Sequence, residues 1–157
     1  MKYHFFWGGP FSNWYPARIE YKGHEFKTTE HAFMWEKAKF FNDELTASNI
    51  LRTTSPADAK KLGREVKNFN SDEWSKVSFD IMVNINIAKF EQHLDLQKIL
   101  CRNDNFVEAS PYDVIWGIGL GMGDPDINDE SKWRGQNLLG KALMQVKKEI
   151  ESRTPEY

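Results

Sequence analysis

Apolar residues recur at helical spacing from Trp74 through Val77, Ile81, Ile85 and Ala88, just after the acidic opening Ser71-Asp72-Glu73. This pattern predicts the longest helix of the chain, with that stripe facing a core. A second stripe, Leu139, Leu143, Val146 and Ile150, predicts a last helix over about 136–151. Thr28 or Thr29 can cap a helix from Glu30 to about Phe41, and a short helix follows from Glu44 to Leu51. Ser55-Pro56-Ala57-Asp58 combines a capping hydroxyl, a first-position proline and an early acid, a strong helix start that Gly63 ends as a left-handed cap. A further helix is expected from about Leu94 to Cys101.

Period-two segments are short. Ile19-Glu20-Tyr21 and Glu25-Phe26-Lys27 flank a hairpin break at Lys22-Gly23-His24, and Phe106-Val107-Glu108 and Val114-Ile115-Trp116 read as two more strands. A glycine-rich stretch, expected as a flexible loop, follows up to Trp133. The expectation is a helix-rich α+β fold, several helices with a few short strands in a single compact domain over 1–157.

Composition narrows the class. A chain of 157 residues can bury about 70% of its unfolded surface. With 21 basic and 23 acidic residues the net charge is −2, so no basic excess drives non-specific binding to nucleic acid or an anionic membrane. One cysteine, Cys101, forbids an internal disulfide and fits a reducing cytoplasm. The first residues lack the apolar core of a signal peptide, and no stretch approaches the ~18 apolar residues of a membrane span. Six tryptophans and eleven phenylalanines are many for this length; some belong to the core, and a ring-shaped ligand would also use them.

Glu30 and Lys37 are the most informative pair. Seven helical positions differ by only about 20° in direction and about 10 Å along the axis. An acid and an amine therefore share a stripe with Phe33, Met34 and Phe41. Both charges are rarely buried unless paired or functional, although snorkelling at the rim of the face accounts for the pattern equally well. The four histidines show no ligand spacing with one another or with Cys101, so no metal is expected. His31 lies one position off the stripe, where a lone histidine is more often a hydrogen-bonded structural residue. Gly117, Gly119, Gly121 and Gly123 alternate, but no Gly-Lys-Ser/Thr ending follows and this is not a phosphate-binding P-loop. Asp124, Asp126 and Asn128 lack the sixth-position glycine of a calcium loop.

Taken in order, several segments resemble the NADAR, or YbiA-like, family. They are Phe11-Ser12-Asn13-Trp14, Thr29-Glu30-His31 with Lys37, Ser55-Pro56, Gly63-Arg64, Trp74 and Ala88-Lys89-Phe90-Glu91-Gln92-His93. Glu108, Asp113, Trp116-Gly117-Ile118-Gly119 and Asn137-Leu138-Leu139-Gly140 complete the set, which covers nearly the whole chain. The resemblance implies a hydrolase that cleaves the N-glycosidic bond at C1 of a phosphate-bearing ribose, with no cofactor. Two substrate classes go with the family: phosphoribosylated intermediates of riboflavin synthesis, and ADP-ribose on guanine in DNA or RNA. Glu30, Lys37 and Asp113 carry over as catalytic candidates. Ser12, Asn13, His31, Trp74, Trp116, Gly117, Gly119 and Asn137 carry over as substrate-binding candidates.

In that reading a carboxylate near C1 stabilises the positive charge that builds on the sugar. The Lys37 amine offers a covalent route through a Schiff base. Asp113 orients the ribose hydroxyls or protonates the leaving group, and Trp74 or Trp116 stacks on the base. The alternative is a non-catalytic module that binds ADP-ribose or a nucleotide without using Glu30 and Lys37.

Overall fold

Local capping chemistry sets most of the element boundaries in the computed structural model, which describes residues 2–153. Strands β1 (His4–Phe6), β2 (Ile19–Tyr21), β3 (His24–Phe26) and β4 (Phe106–Glu108) accompany six helices: α1 (Thr29–Phe40), α2 (Glu44–Arg52), α3 (Pro56–Gly63), α4 (Ser71–Gln92), α5 (Leu94–Arg102) and α6 (Leu138–Arg153). The fold is helix-rich α+β. Its contacts gather into two units, residues 13–92 and the described parts of 1–12 with 93–157. No helix among the described residues is long and apolar enough to cross a membrane.

In the first of these units, β2 and β3 pair antiparallel with Ile19 opposite Phe26. Lys22 and Gly23 both take positive φ, the turn geometry that matches the strands' twist. Thr28 caps α1 by accepting from the His31 N–H at 3.2 Å. Asp43 caps α2 through Oδ1, and its Oδ2 accepts from the Lys67 N–H at 3.0 Å, tying the segment before α4 to α2. Both bonds favour the ionised carboxylate and hold its pKa below the usual range. Ser55 caps α3, with Pro56 at its first position as expected. The core is built on Ile19, Phe26, Ala32, Ile50, Met82, Ile85 and Phe90, each at most 1% exposed.

Two expectations fail here. Gly63 is the last helical residue of α3 with no left-handed conformation. Its glycine identity answers a steric need instead, because a Cβ there would collide with the Met34 side chain. The α4 stripe is also rotated. Its buried residues are Trp74, Ser78, Met82, Val83, Ile85, Asn86, Lys89 and Phe90, while Val77, Ile81 and Ala88 are only half-buried. Val77 and Ile81 line a groove of about 460 Å³ with Phe40 and Lys22. Polar side chains occupy the core side of the helix, so a count of apolar positions alone pointed to the neighbouring face.

In the other unit, β1 and β4 pair in parallel, His4 beside Phe106 and Phe6 beside Glu108. On one face Phe11 packs edge-on against Phe6 and Phe106. On the other, Val107 joins Ala109, Ile118, Leu120 and Ile127, flanked by Tyr3, Phe5 and Trp133. Helix α6 buries Leu139, Leu143, Val146 and Ile150, the stripe expected from its spacing. Residues 114–116 form no strand. Asp113 Oδ1 accepts from the N–H groups of Ile115 and Trp116 at 2.9 and 2.8 Å, and this side-chain turn overrides the β-branched composition.

Candidate functional site

Residues 13–92 contribute Asn13, Glu30, His31, Lys37 and Trp74. Glu30 lies in the first turn of α1, only 8% exposed, where the helix dipole favours negative charge. Its N–H donates to the Asn13 carbonyl at 2.9 Å, so the turn before β2 is fastened directly to the acid's backbone. The buried Asn13 Oδ1 and Thr29 Oγ1 have no hydrogen-bond partner among the described residues. Unsatisfied buried oxygens are uncommon, and these two belong to the residue whose carbonyl holds the Glu30 N–H and to the residue just before Glu30.

Lys37 is half-buried near the other end of α1. Burial draws its amine below the usual lysine range; the negative charge of Glu30 pushes it back up, and Arg64 pushes it down again. The Lys37 Nζ sits 4.3 Å from the centre of the partly exposed Phe69 ring. Phe69 packs edge-on against Phe41, and Trp74 lies within ring contact of Phe33, Phe40 and Phe41. Trp74 is therefore part of the aromatic wall that supports the Lys37 end of α1, itself only 9% exposed. His31 is buried, its Nδ1 2.8 Å from Thr28 Oγ1, and burial followed by the Lys27 charge lowers its pKa.

The other unit holds Ser12, Asp113, Trp116, Gly117, Gly119 and Asn137. The Ser12 N–H closes a turn onto the Gly9 carbonyl at 3.0 Å. Asp113 is partly exposed, with one carboxylate oxygen committed to the amides that orient Trp116. Gly117 and Gly119 do not belong to the flexible loop expected for this stretch. Both are buried, and the Ile118 carbonyl accepts from the N–H groups of Arg134 and Gly135, each at 2.8 Å. Gly119 has φ +72° and lies so near Arg134 that a Cβ would stand 2.9 Å from its side chain; any other residue would be strained and crowded there. These glycines let two segments pass at close range.

Asn137 also has positive φ, and its amide staples β4: Oδ1 accepts from the Glu108 N–H at 3.1 Å and Nδ2 donates to the Phe106 carbonyl at 3.0 Å. Asn137→Ala strands both backbone groups and should cost about 2 kcal/mol or more, read as a lowered Tm. A Tm equal to that of the parent would remove this role.

Sequence reasoning missed two features. Lys89 is fully enclosed on α4, with its Nζ 5.1 Å and 5.9 Å from the ring centres of Phe90 and Tyr15, and burial lowers its pKa to about 7. Its signals were the polar spacing Ser78, Asn86, Lys89 and its place in the Ala88–His93 segment of the resemblance. The second is a pair of exposed rings, Trp7 and Tyr112, whose exposure no pattern announces.

The sequence pattern of the NADAR domain matches residues 5–151. The chain is 42% identical to N-glycosidase R617 of Acanthamoeba polyphaga mimivirus, over 88% of this chain and 86% of that protein. It is 32% identical to N-glycosidase YbiA of Escherichia coli strain K12, over 90% and 81% of the two chains. The NMR structure of the E. coli protein YbiA superposes with a TM-score of 0.78 at 29% identity, covering 98% of this chain and 89% of that one. Because the domain pattern and these similarities run through both units, the chain belongs to the NADAR family.

Proposed function

We propose that this N-glycosidase hydrolyses the ribosyl C–N bond of a phosphoribosylated or ADP-ribosylated base, with Glu30 and Lys37 acting at the reacting carbon. One observation carries the reading. An acid and an amine share α1, the amine's pKa is drawn down by burial, and Asn13 and Thr29, joined to Glu30 through the backbone, each hold a buried oxygen without a partner among the described residues. A structural ion pair needs neither a desolvated amine nor orphaned acceptors.

Breaking the bond places positive charge on C1 and O4 of the sugar, and the Glu30 carboxylate offsets it. The neutral Lys37 amine attacks C1 as the base departs with a proton. Opening of the sugar ring gives a protonated Schiff base and a free 4-hydroxyl; water then adds to the carbon and returns the amine. Asp113 supplies a second carboxylate, for the ribose hydroxyls or for the proton that leaves with the base. Asn13 Oδ1 accepts from a sugar hydroxyl, and the family resemblance adds Ser12, His31, Trp116, Gly117 and Gly119 as substrate-binding candidates. The half-buried Cys101 thiol, its pKa raised by burial, suits a reducing cytoplasm.

Borohydride added during turnover should fix a covalent adduct on Lys37, seen by peptide mass spectrometry, and Lys37→Ala should form none and lose activity about 10³-fold or more. Active enzyme without adduct, or Lys37→Ala at near-parent rate, overturns the covalent route. Parallel assays on ADP-ribosylguanine oligonucleotides and on a phosphoribosylated pyrimidine assign the substrate class. Inactivity on both overturns the function.

A further inference from the structure

We infer that Trp7 and Tyr112 form a stacking site for the planar heteroaromatic group that leaves when the N-glycosyl bond breaks; this rests on the function proposed above. Trp7 is 56% exposed and Tyr112 86% exposed, the reverse of what hydrophobic burial rewards. Their ring centroids lie 6.4 Å apart with planes inclined at 56°. That is the loose end of the ~4.5–7 Å range of aromatic pairs, so the rings gain little from each other and keep their faces open.

Neither ring hangs on a floppy segment. Trp7 directly follows β1, whose last residue, Phe6, is buried and paired with β4. Tyr112 stands on a turn fixed from both sides. The buried Ser110 Oγ accepts from the N–H groups of Tyr112 and Asp113, at 3.3 and 3.1 Å, and Asp113 Oδ1 accepts from the next two amides. Two rigidly mounted aromatic faces bind at low entropic cost. Flat heterocycles are the partner their chemistry selects, because stacking requires only a π-face. The position agrees: Tyr112 is next in sequence to Asp113, the carboxylate assigned to the leaving side of the reaction.

The test uses the full chain with Trp7→Ala, Tyr112→Ala and Trp7→Phe. Each alanine variant should raise KM about 5- to 150-fold with kcat little changed, and Trp7→Phe should recover most of the loss. A rise confined to ADP-ribosylguanine oligonucleotides assigns the site to a base within a strand, whereas a rise shared with a phosphoribosylated pyrimidine assigns it to the heterocycle in either setting. Unchanged KM for every substrate, or an equal loss of kcat with phenylalanine giving no recovery, overturns the inference. Binding of free guanosine, followed by ring-current shifts of the Trp7 indole, needs no turnover. Shifts that vanish in Tyr112→Ala support the stacking site even if the enzyme hydrolyses neither substrate. Absence of shifts in the parent, or concentration-dependent dimerisation that Trp7→Ala abolishes, overturns it.

Discussion

Glu30→Gln should lower kcat by about 10²–10⁴-fold while the protein stays folded. The α1 start is held by main-chain and capping bonds that the substitution leaves intact, the Asn13 carbonyl on the residue-30 N–H and Thr28 on the His31 N–H. What disappears is the negative charge that offsets the sugar cation. The same charge acts on Lys37, whose pKa Glu30 raises against the pull of burial. In the variant the amine therefore loses its proton at lower pH, and the rising limb of the pH–rate profile moves downward. The slower enzyme would thus carry the more available nucleophile, a combination that separates charge stabilisation from amine activation. Steady-state rates from pH 6 to 10 on the better of the two substrates check this. Residual activity above one-tenth of the parent would remove Glu30 from the chemical step.

Stability should climb between about pH 7 and 10, and Lys89→Met should flatten that climb. Lys89 in the folded protein has a pKa of about 7 against an ordinary value of 10.5, because burial penalises the ammonium. Below pH 7 both states hold the proton, and folding bears the full cost of enclosing a charge. Above it the unfolded chain keeps a proton that the folded one has released, so unfolding free energy rises with pH by at most ~1.4 kcal/mol per pH unit for a single group. The gain is complete once pH passes the unfolded value. Tyr21 acts in the opposite sense at higher pH. Burial, then Glu36 beside it, raises its pKa, so the phenol resists ionisation when folded and stability falls once the unfolded phenol ionises near pH 10. In the same window the lowered Lys37 adds in the same direction and the raised Cys101 in the opposite one, so Lys89 is read from the difference between parent and variant. Urea titrations of parent and Lys89→Met at several pH values across it give the difference directly; parallel curves would show that Lys89 keeps its proton throughout.

Elements whose ends are written in local chemistry were legible in the sequence. Ser55-Pro56 starts α3, the Lys22-Gly23 turn joins β2 to β3 within a residue of expectation, and the α6 stripe is buried as its spacing implies. Long-range demands were not. Gly63 reads as a cap until Met34 is found against it. Val114-Ile115-Trp116 has strand composition, yet two hydrogen bonds to Asp113 decide its shape. The α4 core face contains Ser78, Asn86 and Lys89, residues that apolar counting discards. Within the candidate site, helical periodicity put Glu30 and Lys37 on one face. The scaffolding bonds of Asn137, and the packing behind Gly117 and Gly119, depend on segments distant in the chain.

The cap of α1 has a consequence for proton inventory. Thr28 Oγ1 accepts from the His31 N–H at 3.2 Å and meets the Nδ1 of the same residue's ring at 2.8 Å. Burial, then the Lys27 charge, lowers the ring's pKa and so favours the neutral imidazole. A neutral ring adds no positive charge next to Glu30 in sequence. A 15N pH titration of the imidazole should place its midpoint below that of an exposed histidine.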